Sequence, residues 1–488
     1  MLEHLQPQRV FHYFEKICSI PHGSGNTKAI SDYCVSFAKE HGLRYMQDES
    51  NNIIIFQEGT TGYENSAPVI LQGHLDMVCE KESDCKIDFA KNGLTLVLED
   101  DYVTANKTTL GGDDGIAVAM ALAILEDTSI PHPPLEVVFT VDEEVGMLGA
   151  AKLDYSSLQG RIMLNLDSEE EGILLVSCAG GVTATCHLPV TRECVFGTPY
   201  GISVTGLLGG HSGMEIDKGR ANASKILGRV LYALSTQIPI QLLSMQGGLK
   251  DNAIPRDAHA QFVISSVKSA NEKDFDMDTF ISEWNEILKK EYASTDPGIT
   301  LEYAVASPYD QMAMTADSTK KALSALYLLP DGVQSMSHDI KGLVETSQNL
   351  GIMKTTDSEV TYSFSTRSSV TSRKHELLAR MECLMSALGG CVTTASDYPS
   401  WEYRKDSPLR ELMISVFEKQ YGYKPEIQAM HAGVECGLFA DGLPNLDCVS
   451  FGPNIKDIHT PKERLQISSV ERTWNFTLEI LKNLRNDG

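Results

Sequence analysis

Four segments before residue 170 each break off into histidine, glycine or carboxylates, and this pattern confines the chain to a sheet whose chemistry sits at its strand ends. The first runs Val69-Ile70-Leu71-Gln72-Gly73 into His74-Leu75-Asp76. The second, Leu110-Gly111-Gly112-Asp113-Asp114-Gly115, opens the Ala-, Leu- and Met-rich stretch Ile116 to Leu125, which predicts a buried helix entered through a sharp glycine turn. The third, Leu135 to Val141, is β-branched enough to predict a strand and stops at Asp142-Glu143-Glu144-Val145-Gly146. The fourth, Arg161 to Leu166, stops at Asp167-Ser168-Glu169. Far along the chain, Val449-Ser450-Phe451-Gly452-Pro453 leads through Asn454 to Ile458 into His459-Thr460-Pro461. Ligands of an open α/β sheet collect outside the carboxyl ends of its strands. The expected fold class is therefore α/β, with a central mixed sheet.

Alternate side chains of a strand share a face, so His74 can offer one ring nitrogen to a metal while Asp76 accepts a hydrogen bond from the other. Taken singly, each acidic cluster has an ordinary explanation, because carboxylates cap helices and decorate turns. Two adjacent glutamates normally mark a solvated loop. Together, repeated strand ends bearing His, Asp and Glu form a donor set suited to zinc, manganese or cobalt. One metal does not need so many carboxylates. Two metals sharing a bridging carboxylate and a bridging hydroxide, about 3.5–4 Å apart, do.

In this order, His-x-Asp, Gly-Asp-Asp-Gly, Asp-Glu-Glu-x-Gly, Asn165-Leu166-Asp167-Ser168-Glu169 and a late His, the chain resembles the co-catalytic zinc peptidases that include aminoacylase and carboxypeptidase G. Within them it is most similar to the aminoacylhistidine (Xaa-His) dipeptidase branch, through His74-Leu75-Asp76-Met77-Val78, Cys178-Ala179-Gly180-Gly181 and His431-Ala432-Gly433-Val434-Glu435-Cys436-Gly437. The resemblance implies two divalent ions, zinc first, with manganese or cobalt as alternatives. It assigns His74, Asp113 and Asp167 to one ion and Asp113, Glu144 and His459 to the other, with Asp113 as the bridge. Glu143 matches the general base that takes a proton from the bridging water and returns it to the leaving amine, and Asp76 the partner of His74. Relatives often carry Asn where this chain has Asp114, and the peptide bond joining Asp113 to it is expected to be cis.

Between about Val182 and Thr394 the acidic strand ends cease, which predicts an inserted α+β domain over 184–394, and the resemblance implies that it is a lid and dimerisation domain. The catalytic domain is then discontinuous, 1–183 and 395–488, since His459 must meet ligands hundreds of residues earlier. Strand-like pieces of the insert include Gly201 to Leu207 and Ala258 to Ser266. By the resemblance, His211 of Gly209-Gly210-His211-Ser212-Gly213 stabilises the oxyanion, Asn252 contacts substrate and Arg367 takes the terminal carboxylate. Each also reads as an ordinary turn or surface residue. Glu435 is assigned to the substrate's free amino group, and His431 lies in the same motif.

Composition narrows the partners. A formal charge of −25 opposes nucleic-acid binding, and no apolar run is long enough for a bilayer. The start, Met1-Leu2-Glu3-His4-Leu5-Gln6-Pro7, lacks the pattern of a signal peptide, so a cytoplasmic location is expected. Eleven cysteines are scattered without a Cys-x-x-Cys pair and are read mainly as buried thiols. The favoured function, as the resemblance implies, is metal-dependent hydrolysis of short unblocked dipeptides, Xaa-His including β-Ala-His, and the family's habit implies a homodimer. A tripeptidase or N-acyl amino-acid deacylase, and a catalytically inactive binding relative, remain as alternatives.

Overall fold

The computed structural model describes residues 1–265 and 275–485, so residue 266, the last of the strand expected from Ala258, lies outside the described residues. The chain forms two compact units. One comprises Met1–Ser177, Tyr403–Ala429 and the chain from Val434 on; the other comprises Cys178–Glu402 with Met430–Gly433.

An eight-stranded mixed sheet organises the first unit, in the spatial order Arg44–Gln47, Ile53–Gln57, Leu135–Thr140, Val69–His74, Ile162–Asn165, Asp447–Ser450, Ile173–Cys178 and Glu426–Met430. Its central strands run parallel, with Val69–His74 between Leu135–Thr140 and Ile162–Asn165. All six residues of Val69–His74 and of Leu135–Thr140 are buried, as expected where both faces of a parallel sheet are covered. The helix Gly112–Glu126 is buried continuously from Asp114 to Leu125, the property of a helix that is apolar all round. Gly115 lets it approach the helix Gln8–Cys18: a Cβ there would lie 3.4 Å from both Phe14 and Ile17.

A smaller sheet brings the distant histidine home. Strand Arg464–Gln466 pairs with Tyr102–Ala105 on one side, Leu465 opposite Val103, and with Ile455–Lys456 on the other. The hairpin loop between Ile455–Lys456 and Arg464–Gln466 carries His459, and the chain leaving Ala105 leads to Asp113.

The second unit is a ten-stranded antiparallel sheet whose long central strands include Arg192–Thr205, Ala258–Ser265, Val344–Thr355 and Glu359–Ser368. Helices Ala223–Gln237 and Ala316–Leu328 supply Leu227, Val230, Leu231 and Leu326 to a core that also holds Tyr362 and Phe364. No helix among the described residues is long and apolar enough to cross a membrane.

Candidate active site

Parallel register gathers the acidic segments. His74 is level with Thr140 and Gln72 with Asn165, so Asp76, the Asp142-Glu143-Glu144 turn and Asp167 all leave the sheet at the same end. There His74 Nε2 lies 3.2 Å from Asp113 Oδ1 and 3.5 Å from Asp167 Oδ1. His459 Nε2 lies 3.4 Å from Asp113 Oδ2 and 3.0 Å from Glu144. The two imidazoles thus face different oxygens of one carboxylate. Donor atoms of His74, Asp113 and Glu144 all fall within 4.8 Å of one another, as do those of His74, Asp114 and Asp167.

Each of these side chains is held from behind. His74 Nδ1 has the main-chain carbonyl of Asp76 at 2.9 Å, while the Asp76 carboxylate stands off at 3.6 Å. The sequence expectation puts the carboxylate beside this ring nitrogen, and the main-chain carbonyl is the nearer of the two. Asp76 also accepts the N–H groups of Glu143 at 3.0 Å and Glu144 at 3.3 Å, and the Ser24 hydroxyl at 2.8 Å. It therefore fixes the turn that bears both glutamates, and the Glu144 side chain is 7% exposed rather than solvated. Asp114 Oδ2 accepts the His74 N–H at 3.2 Å, and Gly73 makes room for it, since a Cβ there would lie 2.5 Å from that oxygen. The Asp113–Asp114 peptide is cis.

Electrostatics test whether a metal fits. Among the described residues, the basic groups within ion-pair reach of Asp113, Glu144 and Asp167 are the two imidazoles, with no Lys or Arg. Burial, followed by Asp113 and Glu144, raises Asp167 to about 6 against the pull of His74. Burial opposes a charged His74, yet Asp167, Asp113 and Asp76 outweigh it and lift its pKa well above the ordinary value. Asp113 and Glu144 hold His459 up at about 10. Burial, with Asp167, Glu435 and Glu144, pushes Glu143 well above the usual carboxylate range despite His74. A buried knot of carboxylates short of positive charge, with imidazole donors interleaved, fits two divalent ions.

A pH consequence follows for chelator-treated protein. Above pH 6.5, the unfolded chain has released the protons of these groups, while the fold retains them on Glu463 to about 7, on Glu435 to about 8 and on His459 to about 10. Groups with raised folded pKa values contribute stability that is lost as pH rises through those values. The buried imidazoles His22, His132 and His431 and the half-buried His211 are shifted down and act oppositely, but only below their ordinary value of 6.5. Thermal melts in EDTA are therefore expected to fall from pH 6.5 to 8.5. Excess zinc should remove that decline, because metal ligation favours deprotonated ligands; a decline identical with and without zinc contradicts the metal fit.

In the second unit, the two-stranded ribbon Gly210–His211 with Ala253–Ile254 sets His211 opposite Ala253, and Ser212 N–H donates to the Asn252 carbonyl at 2.9 Å. His211 and Asn252 are thus neighbours. His211 Nδ1 accepts main-chain N–H bonds from Gly213 at 3.2 Å and Met214 at 3.0 Å, which leaves the proton of the neutral ring on Nε2. Burial and Arg367 lower its pKa, so it stays neutral. Arg367 donates to the Tyr398 hydroxyl at 2.7 Å, and its buried Nε has no partner among the described residues. His431 pairs with the Ser347 hydroxyl at 2.7 Å.

Glu435 lies in the first unit and is 0% exposed. Its Oε2 accepts from Gln72 Nε2 and Thr140 Oγ1, both at 2.6 Å, and Gln72 in turn is bonded to Asn165. The other Glu435 oxygen, Oε1, is buried without a hydrogen-bond partner among the described residues, burial pushes its carboxyl up to about 8, and it is one of the acidic neighbours that raise Glu143. Sequence reasoning missed this polar row beneath the strands. It also missed Tyr398, and Glu463, whose carboxylate gathers the main chain before Asp113. Partners hundreds of residues apart leave no local signal.

The fold and donor set define a two-metal metallopeptidase. Residues 70–483 match the model of peptidase family M20/M25/M40, and the chain belongs to that family. It is 38% identical over 487 residues, 99% of both chains, to the cytosol non-specific dipeptidase of Escherichia coli K12. A crystal structure of the aminoacylhistidine dipeptidase of Vibrio alginolyticus superposes with a TM-score of 0.92 at 35% identity, covering 99% of this chain and 98% of that one. Aminopeptidase PepT of Bacillus cereus shares the fold, with a TM-score of 0.56 and 14% identity over 98% of this chain and 99% of that one.

Proposed function

We propose that this chain hydrolyses unblocked dipeptides, Xaa-His dipeptides such as β-Ala-His among them, using two divalent ions, with zinc the expected metal. The carrying observation is the Asp113 carboxylate, which meets His74 with one oxygen and His459 with the other. In this reading His74, Asp113 and Asp167 hold one ion, and Asp113, Glu144 and His459 the second. The dipeptidase names of two relatives similar over their full lengths support the substrate class.

When bound, such a pair of cations would supply Lewis acidity toward the amide carbonyl and make water more acidic. Glu143 receives the proton of the attacking water and delivers it to the departing amine. Asp76 keeps that carboxylate in place through the main chain of the Glu143-Glu144 turn. His211, neutral and protonated on Nε2, is the donor for charge developing on the carbonyl oxygen, a role typically worth about 2.7–4 kcal/mol. Arg367 takes the peptide's terminal carboxylate as a two-pronged donor, and Asn252 adds a polar contact. We assign the insert, 184–394, the part of lid and dimerisation domain within a cytoplasmic homodimer.

The test is hydrolysis of β-Ala-His, Gly-His, Gly-Leu, a tripeptide and an N-acetyl amino acid by metal-stripped protein before and after adding zinc, manganese or cobalt. Metal-restored cleavage confined to the unblocked dipeptides, with Gly-His and β-Ala-His included, is expected. Preferred cleavage of the tripeptide or the acetylated substrate moves the chain to a sister activity, and none at all removes the enzyme reading.

A further inference from the structure

Glu463 is 2% exposed, yet its carboxylate meets no cationic side chain among the described ion pairs. It accepts four consecutive main-chain N–H groups instead: Leu110 at 2.6 Å and Gly111 at 3.1 Å on Oε2, Gly112 at 2.8 Å and Asp113 at 3.4 Å on Oε1. They belong to the turn that enters the helix Gly112–Glu126, whose backbone is not yet helical at Asp113 and Asp114 and so leaves these N–H groups in need of an acceptor. Gly111 turns there through a left-handed conformation (φ 66°), and a Cβ on Gly112 would sit 3.2 Å from Glu463 Oε1. At the other end, the Glu463 carbonyl accepts the Thr104 hydroxyl at 2.8 Å, and its N–H donates to Thr460 in the loop that carries His459. One residue thus ties the loop of His459 to the backbone of Asp113.

We infer that Glu463 is a positioning residue that sets the height and rotation of Asp113, so that its two carboxylate oxygens face His74 and His459 together. This rests on the reading of Asp113 as the bridge. Loss of the tether frees the Leu110–Asp113 main chain and widens the range of Asp113 positions. Coordination then loosens, although no ligand has been removed.

The test compares the full-length parent with Glu463→Gln, whose amide offers one acceptor oxygen in place of two, and Glu463→Asp, which keeps the charge on a shorter arm. Three readouts apply: amide exchange at residues 110–113 of the metal-free protein, the visible absorption of the cobalt-loaded protein, and kcat and KM on a cleaved dipeptide. In Glu463→Gln, exchange at those amides is expected to quicken on the order of tenfold or more. The cobalt spectrum should change, and kcat should fall roughly 10–100-fold with KM within about threefold. Glu463→Asp should recover part of each, and it carries the test if the Gln variant does not fold. Two cobalt ions in the parent, with unchanged spectrum and exchange in the variants, overturns this inference alone. A parent that takes up no cobalt overturns the two-metal reading, and this one with it.

Discussion

Replacing Glu143 with Gln is expected to leave a folded protein with its full metal content and a kcat lowered by roughly 10²–10⁴, the usual worth of a positioned proton-transfer group. The amide keeps the size of the side chain and its main-chain anchorage, since the Glu143 N–H still reaches Asp76 at 3.0 Å. What disappears is the ability to take a proton from water and return it to the amine. That ability belongs to the reaction rather than to substrate binding, so KM should hardly move. Burial among Asp167, Glu435 and Glu144 raises its carboxyl well above the usual carboxylate range, which favours holding the proton it takes. Steady-state kinetics with metal analysis decide the matter. Retained turnover contradicts the assignment, and lost metal makes Glu143 a ligand.

The second large effect concerns neighbours in sequence that the structure gives different tasks. Asp113→Asn is expected to reduce bound zinc from two ions to at most one and to lower activity more than about 100-fold, beyond the 10–100-fold typical of groups that only support a ligand. Its two oxygens lie 3.2 Å and 3.4 Å from two different imidazoles, and an amide can serve only one of them as an acceptor. Asp114→Asn should change activity less than about threefold. Burial and Asp167 push the Asp114 carboxyl well above its usual range, and its contact is acceptance of the His74 N–H, which an amide oxygen reproduces. The close grouping of His74, Asp114 and Asp167 offers another outcome. If Asp114→Asn loses an ion while Asp113→Asn keeps both, Asp114 is the ligand.

These different tasks mark the limit of what the sequence reveals. Apolar, β-branched runs locate the strands Val69–His74, Leu135–Thr140 and Ile162–Asn165 because burial on both faces demands that composition. Once parallel strands are expected, their carboxyl ends place His74, Glu143, Glu144 and Asp167 at one mouth. The strand expected over Gly201 to Leu207 is in fact Arg192–Thr205. Its first half has no clean alternation of buried and exposed residues, and it is held by pairing with Tyr309–Met314, which composition does not reveal. Short strands such as Ile455–Lys456 and Arg464–Gln466 have too few residues to show a period, yet they deliver His459. The target of the Asp76 carboxylate and the four N–H groups on Glu463 are fixed by tertiary packing across long chain separations. A carboxylate that serves a metal and one that serves a main chain look alike in a sequence.

Zinc bound per chain, measured by equilibrium dialysis of chelator-stripped protein alongside the return of Gly-His hydrolysis, probes the bridged two-metal centre most directly. Two ions per chain, both lost or one retained in Asp113→Asn and activity returning as the centre fills, is the expected result. Full activity with a single ion, or with none, contradicts it.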